Sequence, residues 1–239
     1  THPDLNVIPG LFQGEAEKLL EDIDCLYRLV NDYGWYSSEY IYKWIQEQIA
    51  SQFDETKKLP PYTFEDFKNP NIHKDQKQFL DLYVIGTDIS TTSSKVFSFE
   101  TTPKMEVALA IRISMSIPLY FESIKIDMND SSENEMLHIF SDGGIMRNYP
   151  INIFDSDFFK GIMVDGANIQ TLGAKFMSNI KYSEINNLVE YIENLVKSFH
   201  RVQQDIYNHS PQDRARSIEI DTGDVSFTDF DIKPGDETY

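Results

Sequence analysis

The sequence has little that would support disulfide, metal or membrane-spanning chemistry. Cys25 is the single cysteine among 239 residues, so the chain can form no intramolecular disulfide. The five histidines are scattered without the spacing of metal ligands, and one cysteine is too few for the usual zinc clusters. No apolar run approaches the roughly 20 residues that a membrane-spanning helix needs. The sequence therefore predicts no metal, no cofactor and no transmembrane segment.

Basic residues are also scarce. The chain has 21 Lys and Arg against 39 Asp and Glu, which gives a formal net charge of −18. This surplus repels phosphates, so the sequence predicts no nucleic-acid partner and disfavours generic binding to anionic headgroups. An apolar rim could still make peripheral contact with a membrane. With 41% apolar residues the chain can bury a core, and we expect one domain over residues 1–239.

Local patterns place helices first and strands later. Apolar residues recur at helical spacing between about residues 15 and 53, which predicts two amphipathic helices separated by Asp32-Tyr33-Gly34. Residues 80–85 form a short apolar run, typical of a strand that is covered on both faces, and end in Gly86-Thr87-Asp88. Pro103 is predicted to open a further helix.

The run Ser141-Asp142-Gly143-Gly144 is the most informative segment of the chain. The mostly apolar residues 137–140 predict a strand before it, so Asp142 would lie at a strand end, where sites in open α/β sheets collect. Two adjacent glycines allow the backbone to turn sharply and pass close to another group. Asp-Gly is also an ordinary turn signal, so a plain turn is an alternative. Asp88, at the end of the earlier predicted strand, is a second candidate for an acid.

Several blocks occur in one order that resembles the patatin-like phospholipases. They are residues 82–90, 108–121, 141–144, 168–173, 218–223 and 228–230. The resemblance covers roughly residues 80–230, and the first eighty residues match only loosely. It implies an α/β layered fold with a central, mostly parallel sheet flanked by helices, here incomplete at the N-terminus.

The resemblance also implies a reaction. Members of this family use a Ser-Asp dyad, and Asp142 matches their catalytic Asp. Gly143, Gly144, Asn148 and Pro150 would then shape the turn and the loop that follow this residue. Thr87 and Asp88 would organise the neighbouring strand end through bonds from side chain to backbone. The implied substrates are phospholipids or other acyl lipids.

The nucleophile of such a dyad is missing. No Ser has Gly at both flanking second positions, the pattern that a strained nucleophile elbow needs. Ser114 and Ser116 are the nearest candidates, but their neighbours Ile113, Met115 and Ile117 indicate buried packing. His138 does not complete a triad, because four residues along a strand separate it from Asp142 by about 13 Å; we expect it to pack or to meet solvent.

We therefore expect the chain to be the C-terminal part of a longer enzyme, with the N-terminal part of the same protein as its partner. A non-catalytic lipid-binding or protein-binding module on the same scaffold is an alternative. An unrelated α/β domain, in which Asp-Gly-Gly is only a turn, is another. The compartment is not readable from the N-terminus. We expect a soluble bacterial protein, cytoplasmic or secreted.

Overall fold

Helices and strands alternate along the chain in a mixed α/β pattern. A computed structural model describes residues 13–127, 136–177, 182, 184–186, 188–223 and 225. The chain divides into two compact units, Thr1–Gly143 and Gly144–Tyr239. The predicted block at residues 228–230 lies outside the described residues. The expectation of a single domain stays a prediction.

The first unit opens with helices and continues with a sheet. Its elements are α1 (Gln13–Asp32), β1 (Gly34–Tyr36), α2 (Glu39–Ala50), α3 (Phe64–Phe67), β2 (Val84–Asp88), β3 (Ser93–Phe97), α4 (Val107–Ser114), β4 (Leu119–Phe121), β5 (Ile124–Asp127) and β6 (Leu137–Asp142). The two amphipathic helices predicted between about residues 15 and 53 correspond to α1 and α2. Of the run predicted as a covered strand at residues 80–85, only Val84 and Ile85 lie in β2, all of whose residues are buried. The prediction is wrong for the start of the run, because Leu80 lies outside the strand and is 91% exposed.

Four strands form the main sheet of this unit, in the order β3-β2-β6-β5. All three pairings are antiparallel. The mixed α/β class is thus confirmed, whereas the expectation of a mostly parallel sheet is wrong for the strands that the structure describes here. For β2 and β3 the physical reason is the short connection: only residues 89–92 join these strands, and a parallel pair needs a crossover of a dozen residues or more. A separate two-stranded pair, β1 with β4, is parallel.

Helix α4 supplies much of the core against this sheet. The core cluster consists of buried apolar side chains from α3, α4 and the sheet: Phe64, Val84, Phe97, Val107, Ala110, Ile113, Ile124 and Phe140. The helix begins at Val107, so the prediction that Pro103 opens it is wrong. Pro103 lies instead in a turn that the Met105 amide closes by donating to the Thr102 carbonyl oxygen. The carbonyls of Pro103 and Met105 accept hydrogen bonds from the amides of Glu65 and Phe64.

The second unit contains shorter elements and one long helix. Its elements are α5 (Gly144–Arg147), β7 (Met163–Val164), β8 (Ala167–Asn168), β9 (Gly173–Met177), α6 (Leu188–Asn208), α7 (Pro211–Ala215) and β10 (Ser217–Asp221). Strands β9 and β10 pair in parallel, with Lys175 opposite Glu219. Strands β7 and β8 form an antiparallel hairpin. Across the described part of both units, no helix has the length and apolarity needed to cross a bilayer.

Candidate functional site

Asp142 is the last residue of β6 and lies opposite Gly86 of β2. Its strand is central in the sheet, paired with β2 on one side and β5 on the other. Phe140 and Ser141, which precede it, are buried, whereas Asp142 itself is half-buried. The sequence pattern therefore predicted its location correctly: a carboxylate at the end of a buried strand. Its catalytic role stays a prediction.

The main chain of Asp142 is held on both sides by hydrogen bonds. Its amide donates to the carbonyl oxygen of Ser116, 2.9 Å away. Its carbonyl oxygen accepts from the Oγ1 hydroxyl of Thr87 at 2.8 Å. Because Thr87 is only 2% exposed, little water competes for this bond. The two bonds fix the backbone from which the Asp142 carboxylate extends.

Ser116 and Ser141 complete this anchor from the neighbouring segment. The Ser141 hydroxyl donates to the Ser116 carbonyl oxygen at 2.7 Å, so that oxygen accepts two hydrogen bonds. The Ser116 hydroxyl donates to the carbonyl oxygen of Arg112, also at 2.7 Å. Ser116 is fully buried. The structure thus places Ser116 in the support of Asp142, which agrees with the sequence argument against it as a nucleophile.

Gly143 is required by a close approach to the neighbouring strand. A Cβ atom at this position would lie 2.4 Å from the carbonyl oxygen of Ile85 and 2.8 Å from its carbonyl carbon. These are backbone atoms of a buried strand, so they cannot move aside as a flexible side chain would. The first glycine after Asp142 therefore allows the chain to leave β6 directly against β2.

Gly144, Asn148 and Pro150 belong to the second unit. Helix α5 begins at Gly144, and Pro150 directly precedes a 3₁₀ turn over Ile151–Asp155. The Asn148 amide donates to Oε1 of Gln203 at 2.8 Å, and Nε2 of Gln203 donates to the carbonyl oxygen of Ile145 at 2.8 Å. Gln203 was missed by the sequence reasoning. The sequence feature that could have identified it is a polar residue on the otherwise apolar face of α6.

Asp88 is fully buried and has specific partners. Its Oδ1 accepts the Thr91 amide at 3.2 Å, and Nδ1 of His138 lies 2.7 Å from its Oδ2. Burial works to raise the pKa of Asp88, but the hydrogen bonds from Thr91 and His138 outweigh it and hold the pKa below the usual range.

The Asp88–His138 pair changes the interpretation of both residues. The turn-organising role predicted for Asp88 is present in its bond to Thr91. The expectation that His138 packs is confirmed, because its ring stacks on that of Phe140 with centroids 6.2 Å apart. Its contact with Asp88 was not predicted. Among the residues that the structure describes, no group of three or more His, Cys, Asp or Glu side chains is arranged to hold a metal ion.

Comparison with known proteins assigns the family. The sequence model described as Patatin-like phospholipase matches residues 10–155, more than half of the chain. The chain therefore belongs to the patatin-like phospholipase family. The matched range includes every predicted site residue, and it begins well before residue 80, where the sequence blocks indicated only a loose resemblance. The resemblance at residues 168–173 and beyond lies outside this range and stays a prediction.

Two curated viral proteins are similar to the chain. The probable lipid hydrolase 463L of Invertebrate iridescent virus 6 is 30% identical over 123 residues, which cover 52% of this chain and 36% of that protein. The uncharacterized protein R571 of Acanthamoeba polyphaga mimivirus is 27% identical over 165 residues, which cover 66% and 50%. The chain thus spans half or less of the length of these relatives. Since both are viral, the bacterial source stays a prediction.

One solved structure is also similar in outline. VipD from Legionella pneumophila has a TM-score of 0.41 and 17% sequence identity, over 74% of this chain and 32% of that chain.

Proposed function

We propose that this chain is the part of a lipid acyl hydrolase that carries the catalytic base, and that Asp142 is this base in a Ser-Asp dyad. The observation that carries the proposal is the fixed main chain of Asp142, whose amide and carbonyl are bonded to Ser116 and Thr87. Membership of the patatin-like phospholipase family supports the reaction class.

A base that acts without an intervening histidine needs this kind of fixation. The carboxylate has to lie within hydrogen-bond reach, about 2.6–3.2 Å, of the serine hydroxyl that it deprotonates. It then accepts the proton as the serine oxygen attacks the ester carbonyl, and it returns the proton to the leaving alcohol. A main chain anchored at Asp142 and turned at Gly143 limits the positions that the carboxylate can reach.

The nucleophile and the oxyanion donors would come from residues outside these 239. The chain contains no Gly-x-Ser-x-Gly sequence, and it spans half or less of the length of the viral relatives. The proposed partner is therefore another part of the same protein. The proposed substrates are phospholipids or other acyl lipids, which the family and the probable lipid hydrolase among the relatives support.

Asp88 is a weaker candidate for the base. Its side chain is fully buried, and both carboxylate oxygens already have partners in Thr91 and His138. A base has to exchange a proton with the nucleophilic serine, so the full burial of Asp88 favours a structural role. Asp142 is half-buried, which leaves it accessible to a nucleophile from outside the chain.

Two preparations separate the hydrolase from a non-catalytic binding module on the same scaffold. Hydrolysis of a nitrophenyl butyrate ester and of phosphatidylcholine vesicles is measured for the complete reading frame and for residues 1–239 alone. We expect the complete protein to release fatty acid and the 239-residue chain to be inactive. An inert complete protein that still binds the vesicles would overturn the proposal and favour the binding module.

A further inference from the structure

A short hairpin in the second unit exposes apolar side chains next to a tight turn. Strands β7 and β8 are joined by Asp165 and Gly166, which have φ angles of 50° and 82°. Positive φ at both central residues is typical of the type I′ turn that suits two-residue hairpins. Three consecutive apolar residues precede the turn: Ile162 is 55% exposed, Met163 38% and Val164 47%.

Further apolar residues extend the same segment. Residues 158–172, which we call the apolar hairpin, also expose Phe158, Ile169 and Leu172. Single exposed apolar residues are ordinary on protein surfaces, whereas several in one short segment indicate an interaction site. Burial of these side chains by a partner would therefore be favourable.

Hydrogen bonds hold the end of the apolar hairpin that lies opposite its turn. Asn168 in β8 is buried, and its amide donates to Oδ1 of Asp155 at 2.9 Å. The buried guanidinium of Arg216 donates to both carboxylate oxygens of Asp155, at 2.5 and 2.6 Å, and to the carbonyl oxygen of Asn168 at 3.0 Å. The exposed apolar residues are thus carried on a segment that is tied to Asp155 and Arg216 by these hydrogen bonds.

Charge distinguishes this segment from the rest of the chain. Residues 158–172 contain one basic residue, Lys160, and one acidic residue, Asp165, whereas the chain as a whole has a net charge of −18. An apolar segment with no net charge is complementary to a surface that is itself electrically neutral. Anionic surfaces would be repelled by the remainder of the protein.

We propose that the apolar hairpin is the surface by which the protein docks on a neutral, zwitterionic lipid bilayer such as phosphatidylcholine. The choice of a lipid partner rests on the proposed function, since an acyl hydrolase has to reach its substrate at a lipid surface. The side chains of Ile162, Met163 and Val164 enter the boundary between headgroups and acyl chains, as apolar groups of interfacial proteins do.

Site-specific fluorescence tests the location of this contact. In the full 239-residue chain, replacing the single cysteine by Cys25→Ser allows an environment-sensitive dye to be attached at Met163→Cys or, as a control, at the exposed position Glu47→Cys in α2. On addition of phosphatidylcholine vesicles, we expect a blue-shifted and brighter emission from position 163 and no change from position 47. No change at position 163, or the same change at both positions, would overturn the proposal.

A matched pair of double variants tests the energetics. Ile162→Ser/Val164→Ser removes two exposed aliphatic side chains from the apolar hairpin, and Val202→Ser/Ile206→Ser removes two from α6. Flotation with phosphatidylcholine vesicles should show at least about a tenfold loss of binding for the hairpin variant. The α6 variant should bind as the wild type does. Equal binding of all three proteins, or equal loss in both variants, would contradict the proposal.

Sedimentation of the same variants reports self-association. If the hairpin variant changes only the oligomeric state and leaves vesicle binding intact, a second copy of the chain is the partner and the proposal fails.

The flotation assay also separates the docking surface from the proposed function, because vesicle binding requires no catalysis. Binding through the hairpin by a complete protein that hydrolyses no lipid would therefore refute the proposed function while supporting the docking surface.

Discussion

The Thr87 hydroxyl donates a hydrogen bond to the main-chain carbonyl oxygen of Asp142, with 2.8 Å between the two oxygens. This bond crosses between adjacent antiparallel strands, because Thr87 lies opposite Ser141 in the pairing of β2 with β6. The register of the two strands therefore brings the hydroxyl to the residue that we propose as the base. Thr87 is a positioning residue in this account, since it acts on the backbone of Asp142.

Removing this hydroxyl should destabilise the fold. Thr87→Val keeps the branched shape of the side chain but leaves the Asp142 carbonyl without its buried donor. We expect the free energy of unfolding to fall by about 1–3 kcal/mol, the usual cost of an unsatisfied buried group. Urea unfolding of the 239-residue chain, followed by circular dichroism, measures it.

Thr92→Val is the matched control for this measurement. The Thr92 hydroxyl also donates to a main-chain carbonyl at 2.8 Å, that of Thr91, but Thr92 is exposed. Water can replace the lost bond there, so we expect a change within about 0.5 kcal/mol. Equal losses in the two variants would contradict the role of burial at Thr87.

The Asp88 carboxylate should contribute an acid-dependent part of the stability. Its pKa is held below the usual range by Thr91 and His138, so its contribution is complete above the unfolded-state pKa of about 4 and is lost as the pH falls through the lower folded-state pKa. Asp88→Asn removes this contribution. At neutral pH we expect the variant to be less stable than the wild type.

The pH dependence of the unfolding free energy shows whether the charge of Asp88 or only the shape of its side chain stabilises the fold. Between about pH 5 and about pH 2, the difference in unfolding free energy between wild type and Asp88→Asn should shrink. Urea titrations at several pH values measure this difference directly. A difference that stays constant over the interval would contradict the account of the Asp88–His138 pair.

Arg216 should contribute strongly to the stability of the second unit. Its guanidinium bonds both oxygens of Asp155, one oxygen of Asp213 and the Asn168 carbonyl. A lysine keeps the charge but cannot reproduce this planar, two-pronged contact. We expect Arg216→Lys to lower the free energy of unfolding by about 2 kcal/mol or more.

The exposed neighbour Arg214 provides the comparison for this substitution. Arg214→Lys makes the same chemical change on the surface of α7 and should alter the stability by no more than about 0.5 kcal/mol. If both variants unfold at the same urea concentration, the network around Arg216 does not stabilise the unit as we describe.

Local sequence signals were sufficient for the location of Asp142. An apolar strand, a carboxylate at its end and a glycine after it are all encoded within a few residues, and the structure has Asp142 at the end of β6 with Gly143 pressed against Ile85. The buried strand ending in Asp88 was readable only in part: Val84 and Ile85 are apolar and buried in β2, but the run was predicted to be covered from residue 80, where Leu80 is exposed.

Contacts between segments that are far apart in the chain could not be predicted from the sequence. The antiparallel direction of the main sheet and the pairing of residues 103–105 with residues 64–65 depend on which segments meet, which periodicity does not encode. The Asp88–His138 contact is of the same kind. Asp88 lies opposite Phe140 in the register, so His138, two residues away on the same face, is its diagonal neighbour across the strands.

Ester hydrolysis by Asp142→Asn in the complete reading frame tests the central claim most directly. The change is nearly isosteric but removes the base, so kcat for nitrophenyl butyrate should fall by about 100-fold or more. The same substitution at the exposed residue Asp157 serves as the control and should leave kcat unchanged. If a folded Asp142→Asn protein turns over the ester at the rate of the Asp157→Asn protein, Asp142 is not the catalytic base.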